Sequence, residues 1–182
     1  MVILGEKIGV NDSIVDGFKF INSISSSGEI ELDTLENEAK KIFYISNENF
    51  LGWQYTKIIA EKFAKSCKVI CPDALNPERI RAVYLKDLKI LFVIKNKFPD
   101  KIYDEKYNFI NMERFVDQSF KKDNKQKLRF IQKCYKSIID EAIKYFKEAE
   151  VIKKSVENIY ASSIKTTEKN KYTEAIIKKI LP

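Results

Sequence analysis

The rhythm of apolar and polar positions changes once along this chain. In the first half the apolar residues come in short blocks: Lys41-Ile42-Phe43-Tyr44-Ile45, Lys68-Val69-Ile70-Cys71 and Lys89-Ile90-Leu91-Phe92-Val93-Ile94. Continuous runs of this length suit strands covered on both faces, as in a parallel sheet. Ile80 to Leu85 alternates weakly and reads as extended. Between the first two blocks, Tyr55 to Ala64 places Ile58, Ile59 and Phe63 on one face of a helix. Strands interleaved with a helix predict an α/β sheet. From Lys125 to Lys165 the step becomes three and four residues, through Leu128, Ile131, Tyr135, Ile138, Ala142, Tyr145, Ala149, Ile152, Val156 and Ile159, with lysine and glutamate opposite. This predicts a long helical arm, packed on the chain itself or against a partner helix. Thr166 to Lys171 interrupts the pattern, and Thr173 to Leu181 forms a last helix carrying Ala175, Ile176, Ile177 and Ile180.

Punctuation sharpens this division. All 5 glycines lie at or before Gly52, and Pro99 is the last proline before the terminal Pro182. The front is loop-rich and the back is built for helices. Two regions follow, 1–124 as an α/β domain and 125–182 as the arm. In the front region, Gly17 to Ile24 reads as a short helix followed by a loop to Gly28. Glu29 to Leu32 fits a strand or a helix start, Leu35 to Lys41 is a connection, and Pro72 to Pro77 is a loop.

Composition narrows the chemistry. With 45% hydrophobic and 12% aromatic residues, 182 residues bury a substantial core. The net charge of +7 is spread over 33 basic and 26 acidic residues, a solvated surface more than a nucleic-acid footprint. The densest basic run, Lys121 to Lys127, lacks an aromatic for base stacking and is interrupted by Asp123. The absence of histidine removes the usual general base and the commonest metal ligand. An odd set of cysteines, Cys67, Cys71 and Cys134, with no secretory leader, suggests reduced thiols in a cytoplasmic protein. No run approaches the length of a membrane span.

One segment bears on function directly. Between the strand ending at Ile45 and the helix containing Tyr55 lies Asn47-Glu48-Asn49-Phe50-Leu51-Gly52-Trp53-Gln54. Strand, loop, helix is the phosphate-loop layout, whose working pattern is glycine, four residues, glycine, lysine, then serine or threonine. Here the corresponding positions are Asn47, Gly52, Trp53 and Gln54. Only the second glycine is present. These four residues are the candidate vestigial phosphate loop.

The surrounding segments strengthen the likeness. Gly17-Phe18, Ile42 to Ile45, Cys71-Pro72-Asp73, Leu88 to Val93, Asp104-Glu105-Lys106-Tyr107, Ile110-Asn111, Glu157-Asn158-Ile159-Tyr160 and Ile177 to Leu181 follow one another in a familiar order. Together they resemble one half of a bacterial P-loop ATPase family of uncharacterised role, whose members carry two similar halves in tandem. The resemblance spans about residues 17 to 181 and implies a P-loop NTPase-like three-layer α/β domain with a short parallel sheet. It also implies that the chemistry has been lost. The lysine that meets the outer phosphates is Trp53, the hydroxyl that ligates magnesium is Gln54, and the magnesium-organising aspartate is Ile94. Thr56, two positions further along the helix, points elsewhere.

The expectation is therefore a catalytically inactive, P-loop-like module for interaction or regulation, with no catalytic residue, no metal and no cofactor. It would pair with itself or with an active ATPase relative, through the helical stripe or the aromatic residues Phe109, Phe115 and Phe120. The alternative is a nucleotide-binding protein or slow hydrolase of ATP with Mg. There Lys57, Arg79 and Arg81 would supply charge, and Asp73, Glu78 or Asp87 would hold the metal, at a helix N-terminus that still suits an anion.

Overall fold

A computed structural model describes residues 15–47, 50–63, 66, 68–96 and 105–180. Glu48 and Asn49 of the loop, Ala64, Cys67, Asp104 and Leu181 lie outside the described residues. The chain divides into two compact units, residues 1–24 with 29–134, and residues 25–28 with 135–182.

The first unit is built on a six-stranded sheet in the order β1-β5-β6-β7-β4-β8. Its strands are β1 (Val15–Phe18), β4 (Lys41–Ser46), β5 (Lys68–Pro72), β6 (Ile80–Leu85), β7 (Ile90–Lys95) and β8 (Tyr107–Ile110). β1 pairs parallel with β5, and β4 pairs parallel with both β7 and β8. β6 pairs antiparallel with β5 and with β7. The five other strands therefore share one direction, and β6 alone runs against them. The fold is mixed α/β with a mostly parallel sheet, longer than expected and with one reversed strand. β6 reverses because β5, β6 and β7 follow in a tight meander, and a short connection between neighbours can only join antiparallel strands.

The apolar runs became strands because they are covered on both sides. Ile45, Ile70, Val83, Leu85, Phe92 and Ile94 line one face, against helix α2 (Gly52–Lys62). Tyr44, Val69, Cys71, Ala82, Tyr84, Leu91 and Val93 line the other. That second face is covered by Ile21 and by Leu35 and Ala39, in and beside the short helix α1 (Thr34–Glu38). From β4 the chain crosses through α2, over β7 and β6, to reach β5.

The helix expected over Gly17 to Ile24 is not there. Those residues form β1 and β2 (Asn22–Ser25), and β2 turns into β3 (Gly28–Glu31) as a separate two-stranded sheet. Phe18 packs under α2, whereas Ile21 packs on the opposite face, so the segment must extend through the sheet edge. Gly28 closes the hairpin turn at φ 116°, a conformation only glycine takes without strain. Glu29 to Leu32, open between strand and helix on sequence, is largely β3. β8 had no strand signal of its own.

At the carboxyl side of the chain a 3-10 turn (Met112–Phe115) and α3 (Gln118–Asp123) lead to α4 (Lys125–Ser163), one helix of 39 residues. The break expected over Thr166 to Lys171 lies earlier, at Ile164 and Lys165, and Thr166 opens α5 (Thr166–Ile180). Threonine at the first position favours a helix start more than a stop. Among the described residues, no helix is long and apolar enough to cross a membrane.

Two buried polar side chains mark the α2 side of the sheet. Thr56 donates its hydroxyl to the carbonyl of Ile80 at 2.7 Å. Lys68 is wholly buried, and its Nζ donates to the carbonyl of Ala60, in the last turn of α2, at 2.9 Å. Burial pushes this ammonium below its ordinary range. On the other face, burial pushes the Cys71 thiol from 9.0 up to about 12.

This last shift has a testable sign. Above pH 9.0 the thiol ionises in the unfolded chain but stays neutral in the fold, so its contribution to stability is complete below 9.0 and drains away toward 12. Cys71→Ala should cost about 1–2 kcal/mol at pH 8 in urea unfolding, and the gap to the parent should narrow at pH 10.5. A gap that is constant with pH would contradict the burial effect.

Candidate functional site

In open α/β sheets, ligands gather outside the carboxyl ends of the parallel strands. Here that edge is formed by the ends of β4, β7 and β8 and by the start of α2. β4 ends at Ser46, and Asn47 follows. The turn is tight: the Phe50 N–H donates to the Asn47 carbonyl at 3.0 Å, and the Gln54 N–H donates to Leu51 at 3.1 Å. Phe50 sits at φ 57°, in the left-handed region where a phenylalanine is unusual. Leu51 precedes the helix and provides no side-chain cap. The strand, turn and helix expected around Gly52 are therefore present.

Gly52 brings the first turn of α2 close against the sheet. A Cβ at this position would lie 3.2 Å from Cγ1 of Ile94 and 3.3 Å from its Cγ2 and Cδ1. Ile94, buried at the end of β7, thus presses its whole side chain on the glycine. At this point the chain packs hydrocarbon against backbone.

The other loop positions are equally committed. The Asn47 Nδ2 donates to Asn96 Oδ1, just after β7, at 3.1 Å, joining the ends of the two strands. Ser46 accepts the Met112 N–H at 2.7 Å and donates to Asn111 Oδ1 at 3.4 Å, joining β4 to the turn after β8. Trp53 packs at the margin of the α2-side core, and the Arg79 guanidinium lies 5.4 Å from its ring. Gln54 is exposed. Thr56 points into the sheet toward Ile80.

Of the cations considered as substitutes, Arg79 lies at this edge beside Trp53, whereas Arg81 does not. Arg81 turns to the opposite face from α2. There it pairs with Glu31 and, at 3.4 Å, with Asp73. Asp73 also accepts the N–H groups of Leu75 at 2.8 Å and Asn76 at 3.3 Å, and so serves its own loop. Lys95 joins the same network, 2.8 Å from Glu36, 3.2 Å from Glu31 and 3.4 Å from Asp33. Burial alone would lower the Lys95 ammonium. The hydrogen bond and charge of Glu36, then those of Glu31, outweigh it and hold the group above its ordinary range. Tyr44 donates its hydroxyl to Glu36 at 2.6 Å and, buried beside that carboxylate, is held strongly un-ionised. Glu78 and Asp87 are exposed on the surface. No group of three or more acidic or cysteine ligands suited to a metal occurs among the described residues.

This ion network was missed on sequence. Its signal was present: Arg81 interrupts an otherwise apolar strand, and Lys95 directly follows one. A charge in a buried strand needs a counter-charge, and Glu31 and Glu36 supply it from β3 and α1. Beside the network, Phe20, Asn22, Ser23, Ile30, Leu32 and Ala74 line an open depression of about 420 Å³. Its only amide, Asn22, is already bonded to Asp73 and to the Ala74 N–H. Phe109, Phe115 and Phe120 are all exposed.

No family model, curated protein or solved structure matches this chain.

The Gly52–Ile94 contact makes a specific coupling testable. Gly52→Ala should destabilise the parent by about 1 kcal/mol, because Ile94 must shift off its rotamer. Trimming the neighbour with Ile94→Val should remove about half of that cost. A double-mutant cycle in urea that gives strict additivity would show that the two residues do not press on one another.

Proposed function

We propose that this protein is a non-catalytic module for interaction or regulation, built on a P-loop-like strand, turn and helix. One observation carries the reading: the side chain of Ile94 fills the space against Gly52, at the edge where a phosphate and its metal would have to sit. The other positions support it. Trp53 offers no charge to a phosphate, Gln54 faces solvent, and Asn47 is tied to Asn96. A phosphoryl site works through positioned charge; Arg81 and Lys95 are already neutralised on the far face of the sheet, and Arg79 lies over the Trp53 ring. The first turn of α2 has no acidic residue, the one feature that favours the alternative of residual anion binding.

Calorimetric titration of the full chain with ATP and magnesium separates the two. The module reading expects no binding tighter than about 100 µM, roughly −5.5 kcal/mol. Tighter, magnesium-dependent binding would reverse it in favour of a nucleotide-binding protein. Trp53→Lys combined with Gln54→Ser and Ile94→Asp should raise nucleotide affinity above that of the parent, because it returns the cation, the hydroxyl and the acid together.

A further inference from the structure

We infer that α4 is one strand of a parallel coiled coil formed with a second copy of this chain. The inference supplies a partner for the interaction module proposed above and depends on that reading only for its biological sense. The apolar positions Leu128, Ile131, Tyr135, Ile138, Ala142, Tyr145, Ala149, Ile152, Val156 and Ile159 alternate steps of three and four without a fault. That is a strict seven-residue repeat with Leu128 as the first a position and Ile131 as the first d position. A straight helix has 3.6 residues per turn, so such a stripe drifts by about 20° per heptad. A partner that winds around the helix follows the drift, and a rigid sheet surface does not.

The stripe is open. Ile138, Tyr145, Ile152 and Ile159, all d positions, are 68%, 62%, 65% and 67% exposed. Helix α5 does not fold back over α4, since every residue from 151 to 180 is exposed. The seam also has the alternation of sizes that packed layers need, with Tyr145 between the small residues Ala142 and Ala149.

Charge decides the orientation. In a parallel pair, a g residue faces the e residue of the next heptad on the other helix. Glu148 at g then faces Lys153 at e of the second copy, and symmetry repeats the contact. Laid antiparallel with the stripes in full overlap, g faces g. Glu141 of each helix would then oppose Glu148 of the other, twice. The parallel arrangement gains two attractions, and the antiparallel one suffers two repulsions.

Sedimentation velocity on the full chain over a wide concentration range should show self-association, and Ile138→Glu with Ile152→Glu should abolish it. Both residues are exposed in the single chain, so the variant should fold, and retained circular dichroism of the sheet domain checks this. Lys153→Glu should weaken association about tenfold, and adding Glu148→Lys should restore it. In a Cys134→Ser background, Ala149→Cys should cross-link to itself under mild oxidation, because a positions face each other only in the parallel pair. A monomer at every concentration overturns the inference and leaves the nucleotide titration untouched. Cross-linking of Ala149→Cys to Ile138→Cys, but not to itself, overturns the parallel orientation.

Discussion

The contact between Gly52 and Ile94 governs how this domain is assembled. Without a side chain at position 52, the first turn of α2 can rest directly on the end of β7. This close approach sets the height of the helix over the sheet. On the same helix, Thr56 bonds the Ile80 carbonyl at 2.7 Å and Trp53 seats beside Arg79. Just before this helix Phe50 takes a left-handed conformation. Gly52 serves packing, and its geometry is satisfied by an apolar neighbour rather than a ligand.

The two faces of the sheet are held by different physics. On the α2 side the core is apolar, with isolated polar side chains that each find a backbone carbonyl. On the other side, the small elements β3 and α1 bury too little apolar surface to dock firmly by burial alone. The pairs of Arg81 and Lys95 with Glu31, Glu36 and Asp73 hold that layer in one register. Buried pairs of this kind add little net stability once desolvation is counted. Their geometric demands suit the role of fixing position.

Much of the fold was legible in the sequence, for identifiable reasons. The buried strands β4, β5 and β7 declared themselves as unbroken apolar runs, and α4 as a sustained helical repeat without glycine or proline. The strand, turn and helix around Gly52 were readable because the turn falls between two strong signals. The hairpin of β2 and β3 was not, because its serine-rich, half-exposed strands carry no clear period and pair mainly with each other. β8 escaped because its alternation, Tyr107 to Ile110, is only four residues long. The reversed direction of β6 could be guessed only from the brevity of the connections on either side. At the candidate site, the pattern around Asn47, Gly52, Trp53 and Gln54 pointed to a turn between strand and helix. That Ile94 packs against Gly52 required the approach of α2 to be seen in three dimensions.

The buried ammonium of Lys68 carries a consequence for how the helix and sheet find each other. To enter the core it must shed its hydration shell, and among the described residues the acceptor it meets is the carbonyl of Ala60. That carbonyl lies in the last turn of α2, where a helix leaves carbonyls for other donors. A helix slid by a turn along the sheet would leave a bare cation among isoleucines. Lys68 thereby acts as a vernier for docking, rejecting near-miss alignments that apolar contact alone would tolerate.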